Sequence, residues 1–371
     1  MRIGLIRTRY TPYGGAEVFL SRFIDGLLQR GHGVEVFASD WIEQKGVRFH
    51  KVEASGPSFL RPLIFARNAR KAVEAARPDI VVSLERTYCQ DIYRAGDGCH
   101  REWLIRRGQA VGPLKRFLIR LNPLHFTLLH LEKKLFSSPG LKCVVANSKR
   151  VKGEIIRHYG LPEEKIYVIY NGIGGASVDS IGAAERHALR SGLGLNEGSV
   201  LLLFVGSGFE RKGLIYLIRA LGLLKDRGDI RLLVVGKGDT SKYSKEARRL
   251  GVGERVVFKG PVKDAIKLYP AGDIFVLPSI YEPFSNACLE AMASGLPVVT
   301  SRVNGASEVI TEGREGAIVE DPADETELAG KISLFLDKDK RIKAGAQARK
   351  RAGDFRIEDT VSSFLRIIEG C

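Results

Sequence analysis

Short apolar runs of strand length recur along the chain, and most lead through a glycine, serine or proline turn into a stretch of helical spacing. RIGLIRT opens the series, followed by the turn-rich YTPYGGAE and by FLSRFIDGLLQRG, a helix-period segment that stops at Gly31. GVEVFA then reads as strand, RPLIFARNARKAVEAAR as helix and PDIVVS as strand again. Beyond a segment at 100–136 the alternation resumes with KCVVANS, KRVKGEIIRHYG and KIYVIYNGI. A second series starts near 198 with SVLLLFVGS, GLIYLIRALGLLKD and IRLLVVGKGD, and continues through SKEARRLG, RVVFKG, DAIKLYPAG and DIFVLPS to PVVTS. Such alternation builds parallel sheets covered by helices on both faces. A chain of 371 residues exceeds what one core usually fills. We therefore expect an α/β protein of two doubly wound, Rossmann-like domains, 1–168 and 173–352, joined through IYNGI. The last helix, within 355–371, is expected to pack back on the first domain.

Ligands of open α/β sheets bind in the crevice beyond the carboxyl ends of the strands, so the turns after strands are where chemistry is sought. In TPYGGAE, at 11–17, Gly14 and Gly15 permit close approach of backbone to a ligand, although a plain strand-to-helix turn needs glycine too. VGSGFERKG, at 205–213, is neither a dinucleotide fingerprint nor a Walker loop, because Arg211 stands where the third glycine would be and no Ser or Thr follows Lys212. It instead delivers Arg211 and Lys212 to a helix start, where two cations and amide dipoles suit a diphosphate. A solvated basic turn is the commoner fate of such a pair.

YEPFSNACLEAM, at 281–292, places Glu282 in a loop and Glu290 eight residues on, inside a helix that starts at Phe284 or Ser285. Amides near Ser285, Asn286 and Ala287 suit an anion. Neither glutamate has an evident partner in the sequence. A carboxylate on a largely buried helix is costly unless it is hydrogen-bonded, and sugar hydroxyls are good partners, although most helical glutamates face water. RVNGASEVI, at 302–310, is a further glycine turn after a strand.

The formal charge is +15, which suits nucleic acid, an anionic membrane or phosphorylated ligands. Residues 101–134 concentrate it: eight lysines and arginines face two glutamates, a net +6, with Trp103, Phe117 and Phe126 interleaved. Here Arg106, Arg107, Lys115, Arg116 and Arg120, with Trp103, are read as facing an anionic membrane, against the alternative of an ordinary helix with a charged outer face. No nucleic-acid motif accompanies the charge. The five cysteines are scattered without metal spacing, the N-terminus lacks a signal-peptide pattern and the longest apolar run is strand length, so a cytoplasmic protein is expected. DKD at 337–339 reads as a solvated charge run and no histidine pair has zinc spacing, so no metal is expected.

Taken together, GG after the first strand, RKG after SVLLLFVG, EPFSNACLE with its E-x7-E pair, YNGI and GLPVVTSRVNGASEVI resemble the retaining family 4 glycosyltransferases of the GT-B fold, across nearly the whole chain. PYGGAE, RGHGVEVF, YRAGDGCHREW and GSGFERKG are similar to the type that adds the first glucose to the lipopolysaccharide core.

The resemblance implies two Rossmann-like domains facing across a cleft, with the acceptor on the first and a nucleotide sugar on the second. It implies that Arg211 and Lys212 hold the donor diphosphate, that Glu282 binds the donor sugar and Glu290 the ribose, and that Phe284, Ser285, Asn286 and Ala287 line the donor. Gly14 and Gly15 would approach the diphosphate. Asp97 would lie at the donor sugar, with His100 close by as the alternative.

The activity so implied is metal-independent, retaining transfer of a hexose, glucose first, from a UDP-sugar to a lipid-linked saccharide. It would occur peripherally on the cytoplasmic face of the inner membrane, without a cofactor. Capsule or exopolysaccharide assembly is a rival within the fold. A basic, noncatalytic membrane- or nucleic-acid-binding protein is a rival outside it.

Overall fold

The structure is a computed structural model, and it describes residues 1–9, 15–42, 44–174, 182–196 and 198–370. The chain divides into two compact units, Met1–Gly172 with Ile357–Cys371, and Ile173–Arg356.

The first unit carries a parallel sheet of β1 (Arg2–Ile6), β2 (Gly33–Ala38), β3 (Val47–Lys51), β4 (Ile80–Ser83), β5 (Ile92–Ala95), β6 (Cys143–Ala146) and β7 (Ile166–Val168), in the order β3-β2-β1-β4-β5-β6-β7. Leu5 of β1 lies opposite Val36 of β2 and Val82 of β4. Side chains alternate across the pleat, so Ile3 and Leu5 enter one core while Ile6 enters another on the opposite face. The covering helices are α1 (Gly15–Gln29), α2 (Arg61–Ala76), α3 (His100–Gln109), α4 (Pro113–Leu121), α5 (Pro123–Phe136) and α6 (Lys149–Tyr159).

The second unit repeats the plan with β8 (Val200–Val205), β9 (Ile230–Val235), β10 (Val256–Gly260), β11 (Ile274–Leu277), β12 (Val298–Ser301) and β13 (Gly316–Val319), parallel in the order β10-β9-β8-β11-β12-β13. Every residue of β8 is buried, as expected of a strand covered on both faces. Its helices are α7 (Ala183–Ser191), α8 (Leu214–Leu223), α9 (Ser241–Arg249), α10 (Asn286–Ala293), α11 (Glu325–Ser333) and α12 (Lys338–Ala352). Asp337 of the DKD run caps α12 by accepting from the Lys340 amide.

The last helix, α13 (Ile357–Glu369), belongs to the first unit. Its buried residues Ile357, Val361, Phe364, Leu365 and Ile368 fall on one helical stripe. Phe364 stacks on Phe23 at 4.8 Å and lies 6.0 Å from Phe19. Strands β3, β5 and β13 are absent from the sequence reading. VRFHK of β3 is charged and mostly exposed, and IYRA of β5 and GAIV of β13 are only four residues long, too short for a periodic signal.

Candidate donor site and its charged surroundings

In the second unit the strand order reverses direction between β8 and β11, which makes the carboxyl ends of these two strands a topological switch point. Arg211 and Lys212 follow the first and Glu282 the second. Glycine brings the two loops together. Gly213 has φ +73°, and a Cβ there would lie 1.8 Å from the Pro278 carbonyl oxygen, so only a residue without one lets the loop lie against the chain leaving β11. The Ile280 amide then donates to the Arg211 carbonyl at 2.9 Å. Gly206 makes room of another kind: the Lys212 stem occupies the place where its side chain would be.

The side chains converge on one oxygen. Lys212 Nζ lies 2.7 Å and Arg211 Nη1 2.9 Å from Glu282 Oε2. The Glu282 backbone is itself stitched to the turn after β12, its amide donating to the Val303 carbonyl at 3.2 Å and its carbonyl accepting from the Gly305 amide at 2.9 Å. Asn304, fully buried, donates to Thr300 Oγ1 at 2.9 Å and accepts from the Ala306 amide at 3.1 Å. Burial raises the Glu282 carboxyl, but the Lys212 and Arg211 charges and their hydrogen bonds outweigh it and hold the group below the usual carboxylate range. Two cations thus share one anion. The Arg211 side chain is 34% exposed against 11% for Lys212, so the guanidinium is the more accessible excess charge.

Helix α10 starts at Asn286 with Ser285 at its N-cap, close to the predicted start. Asn286 and Ala287 form its first turn, at the end of a helix that favours an anion, and Phe284 and Ser285 are buried beside it. Cys288, Leu289, Ala291 and Met292 fasten α10 to the core. Half-buried Glu290 accepts from the Tyr269 hydroxyl at 2.8 Å. Its carboxyl is pushed up by burial despite that bond.

Both glutamates therefore have partners within the protein, which their sequence neighbourhood conceals. Lys212 and Arg211 serve Glu282, and Tyr269 serves Glu290. Thr300 and Asn304 fall within GLPVVTSRVNGASEVI, a stretch already marked in the sequence, whereas Tyr269 lies outside every motif singled out there. Tyr269 sits in a 3-10 turn, Ala265–Ala271, that gives no motif of its own.

In the first unit, Gly14 lies outside the described residues, and Gly15 begins α1. Asp97 stands exposed on the turn after β5, where Gly98, at φ +66°, closes the turn onto the Ala95 carbonyl. His100 is differently placed. Its amide donates to Glu132 Oε1 at 2.7 Å, and its Nε2 lies 3.1 Å from His125 Nδ1. Burial, with the Arg86 charge, pushes its ring down to about 4, so it is neutral at pH 7.

Charged groups that the sequence reading did not name surround the strand ends near Asp97. Glu85 accepts from the Thr8 amide at 3.1 Å and lies 3.5 Å from Arg7. Buried Arg94 donates to Asn171 Oδ1 at 3.0 Å, with its guanidinium 3.7 Å above the Phe19 ring.

The basic segment forms α3, α4 and α5, with Pro123 opening α5. Its cations divide. Arg106 is tied at 2.8 Å to buried Glu102, and Arg107 lies 5.7 Å from the ring of half-buried Trp103. Trp103 and Arg106 are thus partly committed inward. Lys115, Arg116 and Arg120 of α4 are exposed, together with Leu114, Phe117, Leu118 and Leu121. Among the described residues, no helix is long and apolar enough to cross a membrane, and no group of three or more His, Cys, Asp or Glu side chains is arranged to hold a metal ion.

Comparison with known proteins adds the family. The profile described as glycosyl transferases group 1 matches residues 185–351, and that described as Glycosyltransferase Family 4 matches residues 13–174. An uncharacterised glycosyltransferase of Methanocaldococcus jannaschii is 31% identical over 326 residues, covering 84% of this chain and 83% of the relative. Lipopolysaccharide glucosyltransferase WaaG of Escherichia coli is 27% identical over 330 residues, covering 86% and 85%. The crystal structure of WaaG, a glycosyltransferase involved in lipopolysaccharide biosynthesis, matches all of both chains with a TM-score of 0.85 at 25% identity. HepE of Anabaena, solved with UDP-glucose, shares the fold at a TM-score of 0.76 and 20% identity over all of both chains. The chain is a member of the group 1 glycosyltransferases, within Glycosyltransferase Family 4, and it has their GT-B fold.

Proposed function

We propose that the protein is a retaining glycosyltransferase that moves a hexose, glucose first, from a UDP-sugar to a hydroxyl of a lipid-linked saccharide of the lipopolysaccharide inner core. The observation that carries this reading is the pairing of Arg211 and Lys212 with the single Glu282 oxygen at the switch point, close to the start of α10. That arrangement leaves one positive charge in excess, and a diphosphate is the ligand it suits. The likeness to WaaG and the UDP-glucose bound by HepE support the choice of donor and acceptor.

In this reading, unit two binds the donor. Glu290, steadied by Tyr269, meets the ribose hydroxyls, and Glu282 meets hydroxyls of the sugar. As the bond from the anomeric carbon to the diphosphate breaks, its electron pair goes to the phosphate oxygen, where Arg211, Lys212 and the α10 amides stabilise the charge. The acceptor oxygen bonds to the anomeric carbon on the face being vacated, and its proton passes to the departing phosphate. No metal is required in this scheme. Asp97 is assigned to the donor sugar, and the exposed cations and apolar side chains of α4 to the cytoplasmic face of an anionic membrane.

The test is a thermal-shift and hydrolysis screen of nucleotide sugars with EDTA present. UDP should raise the melting temperature without metal, and Arg211→Ala should remove most of that shift. An anomeric assignment of the product by NMR checks retention. Loss of activity in EDTA would overturn the metal-free scheme, and absence of a shift with every nucleoside diphosphate would overturn the donor assignment.

A further inference from the structure

Helices α3, α4 and α5 of the first unit line an open cavity of about 650 Å³, within the range of roughly 300–1,000 Å³ typical of small-molecule sites. Its walls are of two kinds. Leu104, Ile119 and Leu129 give it an apolar lining, and Ile105 and Phe126, 43% and 60% exposed, extend that lining to the surface. Arg101, Arg116 and Arg120 border the same space, all three exposed. Among the described residues none of the three forms an ion pair. Arg116 commits only its Nε, which donates to the Gly108 carbonyl at 2.7 Å. The carboxylates of the neighbouring turns are occupied elsewhere, Glu102 with Arg106 and His158, and Glu132 with Arg86 and Tyr159.

His125, buried in the wall, is pushed below its ordinary value by burial and by the Arg107 charge. Its Nε2 has no hydrogen-bond partner among the described residues, an unmet polar atom of the kind a lipid ester or glycerol oxygen satisfies.

We propose that this cavity takes one acyl chain of an anionic phospholipid, with the headgroup phosphate on Arg101, Arg116 and Arg120. A purely ionic ligand would leave the apolar walls wet. A neutral hydrocarbon would leave three unpaired guanidinium groups beside it. A molecule with a phosphate at one end and a chain at the other satisfies both. The inference deepens the membrane reading, turning adsorption of a surface into capture of a single lipid, and it rests on that reading only for the source of the lipid.

Dissolved probes separate the two. Hexyl, octyl, decyl and dodecyl phosphate, titrated by calorimetry below their micellar concentrations, should bind about fourfold more tightly for each methylene that enters the cavity, up to a chain length at which the gain stops. Leu129→Trp, which fills the space, should bring that limit to a shorter chain while leaving the melting temperature and the UDP-induced shift unchanged. Leu104→Trp serves as a second filling variant should the first unfold. Arg101→Ala with Arg116→Ala should weaken every alkyl phosphate by about tenfold or more, and an alkyl phosphocholine should bind the native protein more weakly than the matching phosphate.

Chain-length dependence that continues without a limit, or that both filling variants leave intact, overturns the proposal. So does equal binding of phosphate and phosphocholine. Flotation with phosphatidylglycerol vesicles reports the membrane reading independently, since adsorption through exposed α4 does not require the cavity to be open.

Discussion

Lys212 and Glu282 are 70 residues apart in sequence and meet at 2.7 Å in the interior of the second unit. The pair is the seam of the candidate donor site, because each residue arrives on a different post-strand loop and Arg211 shares the same carboxylate oxygen. Removing the negative member leaves two cations facing each other in a poorly solvated place. Breaking a buried pair in this way costs up to about 3–5 kcal/mol.

The two glutamates should consequently respond in opposite ways to the same substitution. Glu282→Gln should lower the melting temperature of the ligand-free protein markedly. Glu290, whose carboxyl is raised by burial, costs stability when ionised at neutral pH, and Glu290→Gln keeps an acceptor for Tyr269, so it should leave that melting temperature unchanged or higher. Glu290→Gln should also weaken UDP, whose ribose Glu290 meets in the proposed reading. Calorimetric melts with and without nucleotide check the contrast, and an equal loss of apo stability in the two variants would contradict it.

Tyr269→Phe isolates the contribution of one hydroxyl. The ring stays in the core beside Phe275, while Glu290 loses its donor and rises further above its ordinary value. The melting temperature should fall by the equivalent of about 1–1.5 kcal/mol, the size of a lost hydrogen bond, and isothermal titration should show UDP weakened because Glu290 is no longer steadied.

A glycine pair tests the close approach of the two loops. Gly208 and Gly213 have nearly the same backbone, φ +76° and +73°, but a Cβ at Gly208 meets nothing within 4 Å whereas one at Gly213 meets a carbonyl oxygen at 1.8 Å. Gly208→Ala should cost only the left-handed strain, about 1–2 kcal/mol. Gly213→Ala should cost more than that and should also abolish the UDP shift, since the loop bearing Arg211 and Lys212 must back away from Glu282.

The first unit should show an acid-sensitive step of its own. A histidine whose folded value lies below its ordinary 6.5 stabilises the fold above 6.5, and that contribution is lost as pH falls toward about 4. The groups facing His100 are Arg86, Glu132 and His125. Melting temperature should therefore decline between about pH 6.5 and 4, by no more than an equivalent of about 3 kcal/mol, and His100→Asn should flatten the decline. Below the ordinary carboxylate value of 4.5 a second loss is expected from Glu132 and Glu282, both held low in the folded state by their ion pairs.

The alternation of apolar runs and helical spacing makes the two parallel sheets legible in the sequence, because a strand buried on both faces writes a continuous apolar word such as VLLLFV. Polar VRFHK at the sheet edge and four-residue IYRA write no such word, and both escaped. The site divides on the same line. Arg211, Lys212, Glu282 and Glu290 stand in short local motifs. Tyr269 acts through a contact that tertiary structure alone creates. Nor could spacing reveal that Arg106 in the basic segment reaches back to Glu102 while Arg120 on the next helix makes no ion pair among the described residues, since that depends on which helical face the core takes.

Helix α13 joins the first unit only after the chain has passed through the whole of the second. In genetic order the second unit is an insertion, entered at Ile173 and left at Arg356, where the Ile173 amide and the Phe355 carbonyl bond at 2.9 Å. During synthesis the sheet of the first unit emerges early, yet Phe19 and Phe23 wait for Phe364 to cover them. The second unit has all of its strands on the ribosome before that cover exists. The half of the molecule translated first is thus the half completed last. Until α13 is in place, the first unit has its aromatic core open to water.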